Sequence, residues 1–424
     1  MTARHGVGRA VITGLGVRCA IGTGLKEFTE SLRSGRSGIR PPDDRHPDEP
    51  GAPLPPYDFA AELASRGEPQ AARAARTAAR SPAAVQSALL AALEAWTHAG
   101  LAASPLPGDR VALVIAGNNL TGGTAHRTAE RYRGRPDAVP GRYALHMQDT
   151  DHVGVVSEVL GITGEGCTVG GASASGNLAL ITAARTIAAG GADACLVVGT
   201  PAELTPMERQ AYRALGAMAV APNGPGPRDP DPLCRPFDTG HRGFTDGAGA
   251  AAVLLESAES ARRRGARVLA GLAGYGWKLS GTSLADPSED AEVEVMRTAL
   301  ARAGTTSARL GYVNTHGTAS PLGDRTEAAA LMRVLDSPDR VWVNATKALT
   351  GHCLSAAGVV EAVATVAQLN AGFVHPNPYL TDPIEPRLRF TGAKAMPAES
   401  AYALSNSFGF GGFHSAVVFA DEGA

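Results

Sequence analysis

Apolar residues fall in short blocks along the chain, separated by glycine, proline and charged residues. Residues 9–13 form one such block, read as a buried strand closed by Gly14 and Gly16. Similar strand-like runs cover 111–116, 194–198 and 250–255, then 311–315, 341–344 and 402–406. Helix-like stretches lie between them. Residues 61–80 carry Ala and Arg and predict a solvated helix. Ser81-Pro82 supplies an N-cap with Pro at the first helical position, opening a mostly apolar helix through Trp96. Further helices are expected over 176–189, 258–264, 324–335 and 356–369. Asp286 is expected to cap another, starting at Pro287 and ending near Gly304. Residues 41–56, rich in Pro, Asp and Gly, read as a surface loop. The alternation predicts an α/β fold with buried strands. Two halves, 1–256 and 257–424, are expected to hold one sheet each. No exact internal repeat is visible, so duplication of the halves rests on element order alone.

Composition narrows the function. The 424 residues exceed one typical domain and hold enough apolar residues for a large core. Thirty-nine basic and 41 acidic residues give a net charge of −2, which argues against nucleic acid as the main partner. No apolar run reaches the roughly 18 residues of a membrane span. The N-terminal stretch is too short and glycine-broken for a signal peptide, so a cytoplasmic location is expected. The five cysteines, Cys19, Cys167, Cys195, Cys234 and Cys353, are scattered with no CxxC pair. That disfavours a disulfide framework and a zinc site, and no metal is expected.

Four short motifs carry candidate chemistry. Gly14-Leu15-Gly16 begins like a dinucleotide fingerprint but lacks the third glycine, so a structural turn is the preferred reading. Gly171-Ala172-Ser173-Ala174-Ser175 falls between a strand and a helix. The helix N-terminus there favours negative charge, which suits a nucleophile or oxyanion hole at Ser173; taken alone, Ser173 reads more readily as a helix cap. His316 and His352 share a strand-end, glycine-flanked setting, and Lys347 lies five residues before the second. Together the three point to a site. The cluster Phe408-Gly409-Phe410-Gly411-Gly412 reads equally as a backbone oxyanion donor, a gate or a plain loop.

In combination these motifs resemble the β-ketoacyl synthases. Asn314-Thr315-His316-Gly317-Thr318, Lys347 to His352, and Asn406 to Gly412 look like the family's three signatures. Cys234-Arg235-Pro236-Phe237-Asp238 and Val11 to Gly16 also match, in the family's order. The resemblance implies a thiolase-like αβαβα layered fold from two fused, pseudo-duplicated halves, and a homodimer. It implies no bound cofactor, with acyl thioesters carried on the phosphopantetheine arm of an acyl carrier protein.

Departures refine it. The family's nucleophilic cysteine aligns with Ser173, and Cys167 falls six residues earlier. A thiol of pKa about 8.5 is partly thiolate, whereas a serine hydroxyl stays protonated without a strong base. Phe413-His414 stands where elongating enzymes usually show Thr-Asn, and Ala248 replaces a usual Glu. The pattern is similar to the ketosynthase-like decarboxylases of polyketide β-branching cassettes, which convert malonyl-carrier protein into acetyl-carrier protein without condensation. On that resemblance His316 and His352 hold the thioester carbonyl, Lys347 tunes them, and Ser173 donates a hydrogen bond or positions the acetyl enolate for protonation. Phe408, Phe410 and Gly411 serve as gate and oxyanion elements, and Thr318 and Ser320 bind the pantetheine. Two alternatives stay open: an acyl-Ser173 acyltransferase or ketosynthase, and a non-catalytic partner subunit like a chain-length factor. Carrier docking is expected on Arg209 and Arg213, or on Arg73, Arg76 and Arg80.

Overall fold

The structure, a computed structural model, describes residues 10–40, 51–219 and 234–422. Most of the predicted loop at 41–56 therefore lies outside the described residues, as does the N-terminal stretch. Because Val11 and Ile12 of the first half pair with Gly271 and Ala270 of the second, there is one sheet rather than the one per half expected, made of eleven strands. They are β1 (Ala10–Cys19), β2 (Val111–Ala116), β3 (Gly166–Val169), β4 (Ala194–Gly199), β5 (Gly249–Ser257) and β6 (Ala270–Leu279). The rest are β7 (Leu310–Asn314), β8 (Trp342–Asn344), β9 (Arg389–Phe390), β10 (Tyr402–Gly409) and β11 (Phe413–Ala420). Six helices matter for the site: α1 (Ala83–His98), α2 (Ser175–Ala188), α3 (Pro206–Ala214), α4 (Glu289–Arg302), α5 (Pro321–Val334) and α6 (Ala357–Ala371).

Sheet order is β9-β8-β7-β10-β11-β6-β1-β5-β4-β2-β3. Outward from the centre, β1 pairs antiparallel with β5, β5 antiparallel with β4, and β4, β2 and β3 run parallel. From β6 the senses repeat: antiparallel to β11, antiparallel to β10, then parallel through β7 and β8. Each end thus uses its first, last, penultimate, second and third long strands in one order, which is a duplicated topology. The helices α2 and α6 pack on one another and on strands of both ends, forming the middle layer. α1 covers one sheet end and α4 with α5 the other. The fold is the α/β layered one expected. By length and composition residues 354–371 would suit a membrane span, but 83% of that segment is buried as the central core helix.

Several local expectations are corrected. Gly14 and Gly16 do not end a strand; β1 runs through both, with a register shift between Ile12 and Gly14. They are small because α1 crosses there: a Cβ at Gly14 would lie 2.2 Å from the Ala95 carbonyl oxygen, and one at Gly16 2.1 Å from that of Ala91. The helix expected over 61–80 is two, Phe59–Ala64 and Pro69–Thr77, with Pro69 opening the second. Pro82, not Ser81, precedes α1 and makes no side-chain cap. Ser288, not Asp286, caps α4. The glycine cluster is the turn of the β10–β11 hairpin, so β10 extends to Gly409. Strands β6 and β11 have no counterpart among the sequence expectations.

Candidate active site

The turn before α2 is built from both sides. Ala172 takes φ +49°, a strained conformation for a residue with a side chain. Ser175 holds it: its Oγ accepts the Gly171 N–H at 2.9 Å and donates to the Ala172 carbonyl at 2.6 Å. Behind it, Ser407 Oγ donates to the Ser173 carbonyl at 3.0 Å. Gly409 allows the hairpin to approach; a Cβ there would meet the Gly171 carbonyl oxygen at 2.3 Å. Ser173 is therefore no helix cap, since Ala174 occupies that position and makes no side-chain cap bond. Its half-buried hydroxyl instead sits 2.9 Å from His352 Nε2.

His352 has a defined tautomer. The Leu354 N–H donates to its Nδ1 at 3.2 Å. Nδ1 is thus an unprotonated acceptor, and the neutral ring carries its hydrogen on Nε2. The bond to Ser173 therefore runs from Nε2–H to Oγ, so Ser173 accepts here rather than donating as the resemblance implies. Burial first, then the Lys347 charge, holds the His352 pKa well below the usual histidine range. Burial also depresses His316, with Lys347, His352 and His414 adding to it. Both rings are neutral hydrogen-bonding groups at neutral pH. They stand edge to face at 5.8 Å between centroids. Phe244 packs edge-on to His352 at 5.2 Å, and Phe408 tilts against His316 at 5.5 Å.

A buried ionic frame fixes His316 from behind. Glu327 on α5 accepts the N–H groups of His316 and Gly317, both at 2.8 Å. Lys347 donates to the His316 carbonyl at 2.6 Å and to Glu361 on α6. Burial pushes both carboxyls up, to about 7 each, against these bonds. Lys347 is almost fully buried and acts on the backbone of His316, so it is a positioning residue rather than a group at the cavity.

Ser173, His316, His352, Phe408 and Phe410 line one cavity of about 490 Å³. Thr318 and Ser320 line it as well. Thr318 Oγ accepts the Ser320 N–H at 3.3 Å, and Ser320 Oγ accepts the Gly323 N–H at 3.4 Å at the start of α5. Each hydroxyl keeps its own proton to donate. Gly411 is corrected: its N–H goes to the Leu284 carbonyl at 3.1 Å and is spent. Arg209 is half-buried on α3 in an ion pair with Asp246, and Arg213 is half-buried on the same helix. Arg73 donates to the Glu158 carbonyl, while Arg76 and Arg80 are exposed. Among the described residues no cysteine lines the cavity. Burial pushes the Cys19 and Cys234 thiols up to about 12, and those of Cys353, Cys195 and Cys167 upward too. No group of three possible metal ligands occurs among the described residues. Sequence reasoning missed Glu327 and Glu361 in the frame, and Glu292 and Tyr212 in the cavity wall, where Tyr212 packs edge-on to Phe244 at 5.4 Å.

Known proteins match this architecture throughout. The N-terminal domain of β-ketoacyl synthase matches residues 8–261 and its C-terminal domain residues 269–381. The polyketide biosynthesis malonyl-ACP decarboxylase PksF of Bacillus subtilis is 36% identical over 416 residues, covering 96% of this chain and 95% of that protein. The 3-oxoacyl-[acyl-carrier-protein] synthase 2 of Coxiella burnetii is 30% identical, covering 97% and 98%. Among solved structures, a type II polyketide ketosynthase in complex with its acyl-carrier protein superposes with a TM-score of 0.85 at 25% identity, covering 97% of this chain and 99% of its own. A β-ketoacyl synthase from Burkholderia phymatum gives 0.83 at 26% identity, with the same coverage. The chain therefore belongs to the β-ketoacyl synthase family.

Proposed function

We propose that this protein decarboxylates malonyl-carrier protein to acetyl-carrier protein without condensation, within a polyketide β-branching cassette. One observation carries the reading: the Nε2–H of His352 points at Ser173 Oγ while its Nδ1 is occupied by the Leu354 N–H. His352 so arranged has no lone pair with which to take the serine proton. An acyl-Ser173 intermediate needs such a base. The same Nε2–H suits a carbonyl oxygen that becomes an oxyanion.

The carrier's arm enters past Thr318 and Ser320, whose hydroxyls donate to its amide carbonyls. Its thioester oxygen takes the Nε2–H in place of Ser173 Oγ, with His316 alongside. The bond to the terminal carboxylate breaks, carbon dioxide leaves, and the electron pair becomes an enolate held by the histidine donors. Phe408 and Phe244 keep the carboxylate poorly solvated, which favours its loss. Ser173 accepts the hydrogen bond when the site is empty and stays unacylated. Residues 1–256 supply the serine turn and 257–424 both histidines, and the protein acts as a cytoplasmic homodimer. The identity to a malonyl-ACP decarboxylase over most of the chain supports this reading, while most other relatives are 3-oxoacyl synthases.

Mass spectrometry of malonyl-carrier protein incubated with the purified protein tests it. Acetyl-carrier protein with no condensation product is expected. A stable acyl adduct on Ser173 would favour the acyltransferase reading. An unchanged malonyl group would favour a partner-subunit role; a ketosynthase/chain-length-factor structure does share the fold, with a TM-score of 0.83 at 27% identity.

A further inference from the structure

A decarboxylase that does not condense has a second chemical task, because its enolate must gain a proton at carbon. Three histidines and three buried carboxyl groups, Glu292, Glu327 and Asp324, face the cavity and compete for that role; Asp324 is already spent accepting the Phe237 and Ala319 N–H groups, with His241 against it. His316 and His352 are neutral, and His352 Nε2–H is committed to the oxygen. His414 lines the cavity from β11, with Phe408 between it and His316. Burial and the Lys278 charge push its ring down to about 4, so it carries no spare proton at neutral pH. Glu327 accepts from the backbone N–H groups of His316 and Gly317 and from Asn406 Nδ2, so both its oxygens act as acceptors.

Glu292 differs from all of these. It stands in the first turn of α4, is 1% exposed, and lines the cavity beside Asp286 and Pro287. Its Oε2 has no hydrogen-bond partner among the described residues. Its neighbours Glu289 and Asp290 show what a carboxylate at this helix start ordinarily does: both pair with Arg333 at the surface. No cation pairs with Glu292 among the described residues. An unpaired buried carboxylate costs several kcal/mol, so the group keeps its proton instead. Burial first, then repulsion from Glu327, holds the Glu292 carboxyl well above the usual range.

We propose that Glu292 is the proton donor that converts the acetyl enolate into the acetyl thioester, an assignment that rests on the decarboxylase reading. The enolate's electron pair takes the hydrogen of the Glu292 carboxyl, forming a C–H bond and leaving a carboxylate. Exposed Phe410, Leu215 and Leu322 line the cavity, so water reaches it and returns the proton after product leaves. One solvent proton is consumed for each carbon dioxide released. A condensing enzyme needs its enolate unprotonated, so an acid in this wall commits the site to acetyl formation without condensation.

The test is Glu292→Gln, which keeps shape and burial but removes the acid. Acetyl-carrier protein formation should fall about 10²-fold or more, in the range of a lost general acid. At the same time ¹³C from labelled carbon dioxide should enter the malonyl group, because the longer-lived enolate is recaptured; the unmodified enzyme should show none. Glu292→Asp retains an acid and should recover part of the rate without label exchange, both scored per folded protein. Acetyl formation within twofold of the unmodified enzyme overturns the assignment. So does a slowed Glu292→Gln enzyme with no label exchange, or an equal loss in both variants. An unmodified enzyme that leaves malonyl untouched overturns the decarboxylase reading and this assignment with it.

Discussion

The turns before the two central helices share one backbone and hold different chemistry. Ala172 and Leu354 each take φ +49°, each opens a single 3₁₀ turn, and each leads into a buried helix, α2 or α6. Three residues after Ser173 comes Gly176, and three after Ser355 comes Gly358. These glycines touch where the helices cross: a Cβ on Gly176 would lie 2.5 Å from the Val359 nitrogen, and one on Gly358 2.7 Å from that of Asn177. The symmetry stops at the side chains. The second turn uses its Leu354 N–H to fix His352, two residues before it; the first has Gly170 at that place and offers the Ser173 hydroxyl. A duplicated scaffold therefore brings a donor and an acceptor face to face because only one copy carries the imidazole.

The buried frame is equally one-sided. Glu361 lies three residues past Gly358, and its counterpart past Gly176 is Ala179. Lys347→Met should therefore give the largest effect, destabilising the fold by about 3–5 kcal/mol as Glu361 loses its partner. The pH dependence follows from the Glu361 carboxyl, which burial pushes up to about 7 from its ordinary value of 4.5. A raised pKa means stability present below about 4.5 and lost as pH rises through the folded value. Without Lys347 that value climbs further, so the melting deficit should widen from pH 5 to pH 8. A deficit that narrows over that range would break the assignment of Glu361 as the burdened partner.

His352→Ala comes next. Losing one oxyanion donor should slow carbon dioxide release about 10²–10³-fold, or roughly 2.7–4 kcal/mol. A loss under tenfold, measured by acetyl product, would mean that His316 suffices and that the second turn's distinctive donor is dispensable. Gly176→Ala and Gly358→Ala probe the shared part instead. Each methyl meets backbone, so each should cost about 1–3 kcal/mol of stability, and by similar amounts. Unequal melting losses would deny that the two glycines do one job.

Much of this was readable beforehand. Strands β2, β4 and β5 are continuous apolar runs, and helices α1, α2 and α6 are long and apolar, so periodicity locates them. His316 and His352 stood out by their glycine flanks. The duplication itself was written in the chain but sparsely. Gly14 and Gly16 in β1 correspond to Gly274 and Gly276 in β6, where α4 crosses so closely that a Cβ would lie 2.2 Å from the Ala299 carbonyl oxygen and 2.1 Å from that of Val295. Two glycine pairs and two serine–glycine spacings carry no visible repeat until the crossing helices explain them. The same glycines hid β6, because they break its apolar alternation. The N–H of Gly411 looks free in the sequence because its partner, the Leu284 carbonyl, comes from a distant loop. Glu292 escaped notice because an acidic residue in a first helical turn looks like a dipole partner, as Glu289 and Asp290 do.

The smallest effects belong to the two serines, and their ratio sharpens the contrast most. Ser173 Oγ meets His352, so Ser173→Ala removes one neutral hydrogen bond, worth about 0.5–1.5 kcal/mol. Carbon dioxide release should then change less than about tenfold, since the Nε2–H remains to hold the substrate oxygen. Ser355, its counterpart, lies against Gly117, where a Cβ would come within 2.9 Å of its side chain. Among the described residues the side-chain partners of His352 are Ser173 and the Leu354 N–H, not the Ser355 hydroxyl, so Ser355→Ala should leave the rate within about twofold. Acetyl formation measured for both variants and the double variant decides between the two roles. If Ser173→Ala abolished turnover while Ser355→Ala did not, the serine would be a covalent participant, and the tautomer of His352 would have to reverse during the reaction.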